Sequence, residues 1–414
     1  MKAEIITIGD ELLIGQVIDT NSAWMAAQLN AIGVDVKQIT SIADARLQIL
    51  HALSEAGNRA RIVLISGGLG PTRDDITKQT LCEYFDTNLI VDESALADIT
   101  AFFARRGISM TELNRKQSEM PAVCTSIPNP AGTARGMWFE KDNTIFISMP
   151  GVPFEMKTIM TDYVLPALKK RFPNTAVVHR TILTTGLGES FLAARIEAWE
   201  NSLPGYIKLA YLPQPGIVRL RLTARGCHED KLQKEIDTLI EKLYGLIPEL
   251  IFGEGTETLE GVIGKLLLSK KQTMATAESC TGGSIAQKIT SVSGSSAYYK
   301  GSVVAYSNEI KQQVLNVDHE SLAQNGAVSR EVVEQMAQGA CRVLNTNWAI
   351  SVSGIAGPDG GTEEKPVGTV WIGVAGPDGV TSQKFLFGDN RERNNIRATI
   401  AALNMLRSKI LQSM

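Results

Sequence analysis

Between Lys2 and Ser66 three short apolar runs alternate with two helical patterns, and this alternation limits the fold more than any other feature of the chain. Lys2 to Gly9 reads as a buried strand. From about Thr20 to Ala31, Trp24, Ala27, Gln28 and Ile32 turn through the helical period, with Gly33 as the stop. Val34 to Ile42 alternates as a strand, Ala45 to Ala56 is helical, and Arg61 to Ser66 is a strongly apolar strand. A β-α-β-α-β order predicts a parallel sheet with right-handed crossovers. In such sheets ligands bind beyond the carboxyl ends of the strands, so the strand exits are where chemistry should lie.

Two exits are unusual. The first reads Gly9-Asp10-Glu11 and then Gly15. The third runs from Gly67-Gly68-Leu69-Gly70 through Pro71-Thr72-Arg73-Asp74-Asp75-Ile76-Thr77 into a helix expected over Lys78 to Phe85. Glycines permit tight turns and close backbone approach to phosphate oxygens, and a helix start favours an anion. Asp10, Asp74 and Asp75 could gather a hard divalent cation of the kind that accompanies pyrophosphate chemistry. Any one of these aspartates serves equally well as a cap or a turn residue. The whole loop is richer than a turn requires. After a helical segment around Ser94 to Arg106 come Asn114 to Gln117, the loop Pro128 to Ala134, and the strand Thr144 to Met149. That strand leads into Pro150-Gly151-Val152-Pro153, Glu155 and Lys157, whose loops could close over the same pocket.

From about Thr175 the texture changes. Strands are expected over Val177 to Thr185, Ile207 to Leu212 and Ile217 to Ala224, with helices over Glu189 to Trp199 and His228 to Leu246. This small α+β module carries no reactive constellation and reads as a spacer or interface, ending in a hinge near Gly253-Glu254-Gly255-Thr256. In the last segment, Lys271 to Ala275 reads as a strand and Ile285, Ile289 and Val292 as a helix. Ser279 to Gly283 between them is then a strand-to-helix turn. Ser279 or Thr281 could simply cap that helix. The alternative is a serine nucleophile whose alkoxide the helix dipole favours, with the amides around Thr281 to Gly283 receiving an oxyanion.

The scarcity of histidine decides what a nucleophile here would need. The four histidines lie outside every Gly-rich or acidic motif, so a Ser-His-Asp mechanism or a His-rich metal site is poorly supplied. A lysine desolvated in a pocket can serve as base, and a tyrosine can relay or orient the proton. Tyr306 follows the strand Gly301 to Ala305, and Lys311 lies five residues further on. The strand Trp348 to Val352 exits into Ser353 to Gly361, a loop offering N–H groups to a phosphate. Beyond it come Lys365 to Thr369, a hairpin at Pro377-Asp378-Gly379 and a long helix with Ile396, Ile400, Leu403 and Ile410 on one face. Arg391, Arg393 and Arg397 could add charge to the loop. Cys280 is a rival nucleophile ranked second, for want of a paired histidine. The five cysteines are scattered, with no CxxC pair, against a disulfide framework or a thiolate zinc site. A net charge of −3 makes no case for nucleic acid, and no apolar run spans a membrane, so cytosol is the expected location.

The stretches GDELLIGQ, SGGLGPTRDD, NPAGTARG and MPGVP resemble the N-terminal domain of the CinA family, similar in fold to molybdopterin-binding domains. AESCTGG, YSNEIK, SGIAGPDGG and KPVGTVW resemble the CinA C-terminal domain, known alone as nicotinamide mononucleotide deamidase. The resemblance is collinear over essentially the whole chain. It implies an α/β protein in three parts: a molybdopterin-binding-like doubly wound sheet at 1–172, a small α+β linking module at 173–253 and a C-terminal α/β domain at 254–414. It also implies two hydrolases of pyridine nucleotide salvage and a homodimer. The C-terminal one would deamidate nicotinamide mononucleotide without a cofactor through Ser279, Tyr306 and Lys311. Thr281, Gly282, Gly283, Ser353, Gly354, Gly357, Asp359, Gly360 and Arg391 would bind its substrate. The N-terminal one would split ADP-ribose into AMP and ribose 5-phosphate with a divalent metal ion, alone or beside a monovalent cation. There Gly9, Gly67, Gly68, Gly70, Thr72, Gly132 and Thr133 would hold substrate and Asp10, Asp74 and Asp75 the metal. The alternative for this half is a non-catalytic pterin- or nucleotide-binding module. The chain departs from the family pattern at Ala43-Asp44 and at Gly388-Asp389-Asn390-Arg391, which leaves open which of the three arginines meets the phosphate.

Overall fold

A computed structural model describes residues 1–72, 75–172 and 176–413. The chain forms two compact units, Met1–Val178 with Ala224–Gln233, and His179–Thr223 with Lys234–Met414.

In the first unit β1 (Lys2–Ile8), α1 (Thr20–Ala31), β2 (Asp35–Ile42), α2 (Arg46–Arg59), β3 (Ile62–Ser66) and α3 (Thr77–Tyr84) follow in turn. They are completed by β4 (Thr125–Ile127), β5 (Gly136–Lys141) and β6 (Thr144–Met149). The six-stranded sheet has the order β2-β1-β3-β6-β5-β4. β2, β1, β3 and β6 run parallel, and β5 and β4 close the edge antiparallel. Every residue of β3 and β6 is buried, as expected for strands covered on both faces. Successive side chains alternate between two cores: Ile5, Ile62 and Leu64 pack with Met25 and Leu29 of α1, while Ile6, Val63 and Ile65 pack with Ile49 and Leu53 of α2.

The second unit begins with a four-stranded sheet. Its elements are β7 (Ala176–Thr185), α4 (Glu189–Asn201), β8 (Ile207–Gln214), β9 (Ile217–Gly226), α5 (Glu229–Leu246) and β10 (Ile251–Glu254), in sheet order β8-β9-β7-β10. The first half of the expected hinge is strand, and only Gly255 and Thr256 form a turn. Gly253 and Glu254 pair with Leu183 and Ile182 of β7, and Arg407 fixes the approach by donating to Ile251 O at 3.0 Å and Glu249 O at 2.8 Å. Backbone pairing and a buried guanidinium override the local glycine content.

There follow α6 (Leu259–Lys270), β11 (Met274–Glu278), α7 (Ser284–Thr290), β12 (Tyr299–Val304), α8 (Asn308–Gln313) and α9 (Arg330–Leu344). β13 (Trp348–Gly354), β14 (Thr369–Gly376), β15 (Gly379–Leu386) and α10 (Arg391–Gln412) complete the chain. The sheet order is β12-β11-β13-β14-β15, with β11 parallel to both its neighbours and β14–β15 an antiparallel hairpin. Helices α6, α7 and α10 cover one face, around Ile350 and Val352; α9 covers the other, against Ala275, Ala277 and Ala349. Leu403 and Ile410 of α10 are fully buried and Ile400 nearly so. Ile396 shares their face yet stays 37% exposed, because the core against this helix begins at Ala398. Among the described residues no helix is long and apolar enough to cross a membrane.

Gly67 sets the first unit's strand exits. Its φ is +120°, and a Cβ there would lie 2.1 Å from Ile8 O. Gly67→Ala should cost about 2–3 kcal/mol, combining a forbidden backbone angle with a backbone clash. Urea unfolding should show a lower midpoint at unchanged slope; an unshifted midpoint would refute the close approach.

Candidate active site

The second unit's site starts from a buried carboxylate. Glu278, the last residue of β11, is fully buried and accepts from the N–H groups of Gly283 at 3.0 Å, Ile285 at 3.0 Å and Ala286 at 2.9 Å. It thus caps α7 from the strand side. The turn between them closes with Gly282 N–H on Ser279 O at 3.1 Å, and Gly282 and Gly283 take φ of +59° and +99°. The amides of Gly282 and Gly283 are therefore occupied, against the expectation that they stand ready for an oxyanion. What the turn leaves is Thr281, whose N–H neither of these bonds uses and whose hydroxyl is buried with no hydrogen-bond partner among the described residues. Nor is Ser279 the cap. Its N–H is held by Val352 O at 3.0 Å, and its Oγ faces Lys311.

Lys311 is 1% exposed, on a short helix capped by Ser307. Its Nζ lies 2.8 Å from Ala305 O, 3.3 Å from Ser279 Oγ and 3.4 Å from Tyr306 O. Burial lowers its pKa below the ordinary lysine value. A neutral amine has two N–H bonds and one lone pair, and this surrounding offers two carbonyls and one hydroxyl. Burial instead pushes the Cys280 thiol up to about 12, which leaves it unreactive. Cys280 fills space under the turn, since a Cβ on Gly354 would come within 3.0 Å of its sulfur.

The Tyr306 phenol is 64% exposed and does not join Ser279 and Lys311. Its oxygen accepts from Arg391 Nη2 at 3.2 Å, while Arg391 Nη1 donates to Gly357 O at 2.9 Å. Arg391 opens α10, and one turn on, buried Asn394 donates to Ala356 O at 3.0 Å and Gly388 O at 2.8 Å. These bonds tie the Gly354–Gly361 loop to the helix, with Asp359 and Gly360 exposed at its tip. Ser353 faces away, donating to Ala327 O at 2.6 Å. Of the three arginines, Arg391 alone joins this site; Arg393 and Arg397 line a separate cavity. Glu278 and Asn394 were not singled out from sequence. An acid directly before a Gly-rich turn is a signal for the first; nothing marks the second.

In the first unit Gly9 N–H is held by Ile42 O at 3.1 Å, and Asp10 and Asp44 exchange N–H-to-carboxylate bonds at 3.2 and 3.3 Å. The Asp44 carboxyl is raised by burial, opposed by its bond from Asp10 N–H and reinforced by the charges of Asp10, Glu11 and Asp75. Asp44 is thus an acid of this site that the sequence reading treated only as a departure from the family. Asp75 accepts from Thr72 N–H at 2.9 Å and from the Thr72 hydroxyl. Cβ atoms on Gly68 and Gly70 would collide with Thr77 Oγ1 and the Asp75 carboxylate, and among the described residues Thr77 Oγ1 is buried without a partner. Gly132 and Thr133 lie on a separate loop, held where Asn129 donates to Glu155 at 2.6 Å. Asp74 lies outside the described residues. Among those described, no three His, Cys, Asp or Glu side chains form a metal-ligating group. The hard oxygen donors and their mutual repulsion still suit a divalent cation in type.

Two stability tests follow. Glu278→Ala would orphan three N–H groups at the start of α7, that of Ile285 buried and those of Gly283 and Ala286 half-buried, and should cost about 3 kcal/mol in urea unfolding; a near-neutral effect would refute the cap. For Lys311, a lowered folded pKa means the unfolded chain binds a proton that the folded chain refuses, so stability rises with pH up to the ordinary lysine range. Lys311→Met removes that dependence. The variant should melt higher than the parent near pH 7, with the gap closing toward pH 10; a gap that widens with pH would contradict the assignment.

Three family profiles match the chain in series: Probable molybdopterin binding domain at residues 4–170, Damage-inducible protein CinA KH domain at 179–253 and CinA C-terminal domain at 256–410. A CinA-like protein of Flavobacterium psychrophilum is 50% identical, covering 100% of this chain and 99% of its own length. One of Cytophaga hutchinsonii is 48% identical, covering 99% and 98%. The solved structure of the competence/damage inducible protein CihA from Agrobacterium tumefaciens is 39% identical, covering 36% of this chain and 92% of its own, with a TM-score of 0.36. Identity of this order along the whole length places the chain in the CinA family.

Proposed function

We propose that the C-terminal domain is a serine amidase that deamidates nicotinamide mononucleotide, with Lys311 as base. The observation that carries this reading is a fully buried amine of lowered pKa, 3.3 Å from a serine Oγ at a strand exit. Neutral Lys311 takes the Ser279 proton as Oγ bonds to the carboxamide carbon, and the Thr281 hydroxyl donates to the developing oxyanion. The C–N bond then breaks as Lys311 returns the proton to nitrogen, releasing ammonia and leaving an ester on Ser279. Lys311 next deprotonates water, the water oxygen bonds to the acyl carbon, and Ser279 leaves with the proton. The product is the mononucleotide's free carboxylic acid. Arg391, with Tyr306 against it, faces the substrate's anionic end.

For the N-terminal domain we propose hydrolysis of ADP-ribose to AMP and ribose 5-phosphate. Asp10, Asp44 and Asp75 do not by themselves form a ligand set; each would offer oxygen to a divalent cation brought in with the pyrophosphate, and such an ion when bound neutralises charge on the phosphates. The glycine loop Gly67–Gly70 brings backbone close to the phosphates, and Thr77 Oγ1, without a partner among the described residues, offers them a donor.

Ammonia release should fall by at least a thousandfold in Ser279→Ala and in Lys311→Met and survive in Cys280→Ala. Activity in the wild type should decline as pH falls through the folded pKa of Lys311. Deamidation lost in Cys280→Ala but kept in Ser279→Ala would overturn the nucleophile. For the other domain, AMP formation should stop with chelator and in Asp75→Asn; turnover indifferent to both would refute the metal reading.

A further inference from the structure

The second unit also contains a cavity of about 850 Å³ that the amidase reading does not use. Its walls are the loop Thr185–Glu189, the β8–β9 turn, the end of β15 and α10. Two glycines set how closely these walls approach. Gly216, at φ +81°, sits so near α10 that a Cβ would fall 2.9 Å from Ile400; Gly186, at φ +91°, would place one 3.5 Å from Asn404.

The lining combines two chemistries. Arg393 and Arg397 stand one turn apart on α10, hence on one face, and among the described residues neither guanidinium has an ion-pair partner. Beside them Phe385 and Phe387 present a nearly parallel pair of rings, with centroids 5.5 Å apart and planes 14° from each other. Helix α4 begins at Gly188 with no side-chain cap. Glu189, exposed at the rim, is the one acid in the lining, and it opposes an anion there. Two unpaired guanidinium forks match a phosphate, and an aromatic pair matches a planar ring. The volume falls within the range of small-molecule sites, about 300–1,000 Å³.

We propose that this cavity is a second ligand site, which takes a phosphomonoester carrying an aromatic ring, that is, a ligand of the nucleoside monophosphate class. Arg393 and Arg397 hold the phosphate, and the ring packs against the stacked Phe385–Phe387 pair.

The test is equilibrium dialysis of the full-length protein with AMP at low salt, with adenosine and inorganic phosphate as half-ligands. It compares the wild type with Arg393→Gln/Arg397→Gln and with Ala401→Trp, which fills the cavity and keeps both arginines. Wild type should bind one more equivalent of AMP than either variant, that equivalent should fade with added salt, and each half-ligand should bind it at least tenfold more weakly. Equal uptake by all three proteins, no uptake by the wild type, or undiminished uptake by Ala401→Trp would each overturn the proposal. Thermal unfolding of the unliganded proteins checks that they fold, and the double arginine variant, at one exposed and one half-buried position, provides a comparison should the tryptophan fail to fit. Because uptake rather than deamidation is read, the result is independent of the amidase reading.

Discussion

The C-terminal site is built outward from the carboxylate of Glu278. Burying a charge costs several kcal/mol, and only strong partners offset it. Three backbone N–H groups at the start of α7 supply them, in bonds to a charged group worth about 1.5–3 kcal/mol each. The bargain fixes strand to helix and dictates the turn between them. It also uses up the positive end of the helix. Ser279, next in the chain, gains little from a dipole already compensated by Glu278, so its activation has to come from a separate base.

Lys311 is placed for that part by the backbone. Its short helix is entered through Ser307, and the chain just before it leaves the Ala305 and Tyr306 carbonyls pointing at Nζ. Those acceptors satisfy the amine's hydrogens without supplying a negative charge, which would have favoured protonation. Burial is then the largest influence on the pKa and lowers it, against the opposing charge interactions with Cys280 and Glu309. The same burial acts on Cys280 in the opposite chemical sense. At about 12, its thiol yields a thiolate fraction near pH 7 of roughly one part in 10⁵. One desolvated environment therefore favours the serine–lysine pair over the thiol beside it.

The strands and helices with strong periodicity were legible from the chain alone. Thr20–Ala31 and Thr144–Met149 are observed with the limits expected, and the alternation from Lys2 to Ser66 predicted the parallel sheet. Ser279 and Lys311 were legible as a pair because no histidine was at hand. What escaped depends on partners distant in sequence. Gly253 and Glu254 look like a hinge locally and become a strand because β7 lies alongside. The Ala305 carbonyl has no side-chain signature, and Tyr306, though at a strand exit as expected, turns its phenol to an arginine 85 residues away. Asp44 was visible, but its role depends on where β2 ends relative to Asp10.

The arginines of α10 illustrate how much one extra constraint resolves. Residues two apart on a helix point to nearly opposite sides, whereas those three or four apart share one. Arg391 therefore points away from Arg393, which shares its side with Arg397, and Asn394, three residues from both Arg391 and Arg397, lies between the two groups. Composition treats all three arginines alike, as a charged helix start beside a glycine-rich loop. Once Asn394 is seen to bind Ala356 O and Gly388 O, the side of α10 facing that loop is fixed, and only Arg391 can reach Gly357 and Tyr306. Arg393 and Arg397 are then turned toward the other cavity by the helical period itself. The two-residue step from Arg391 to Arg393, with Arg391 tied to Gly357 O, thus divides the positive charges between the two pockets.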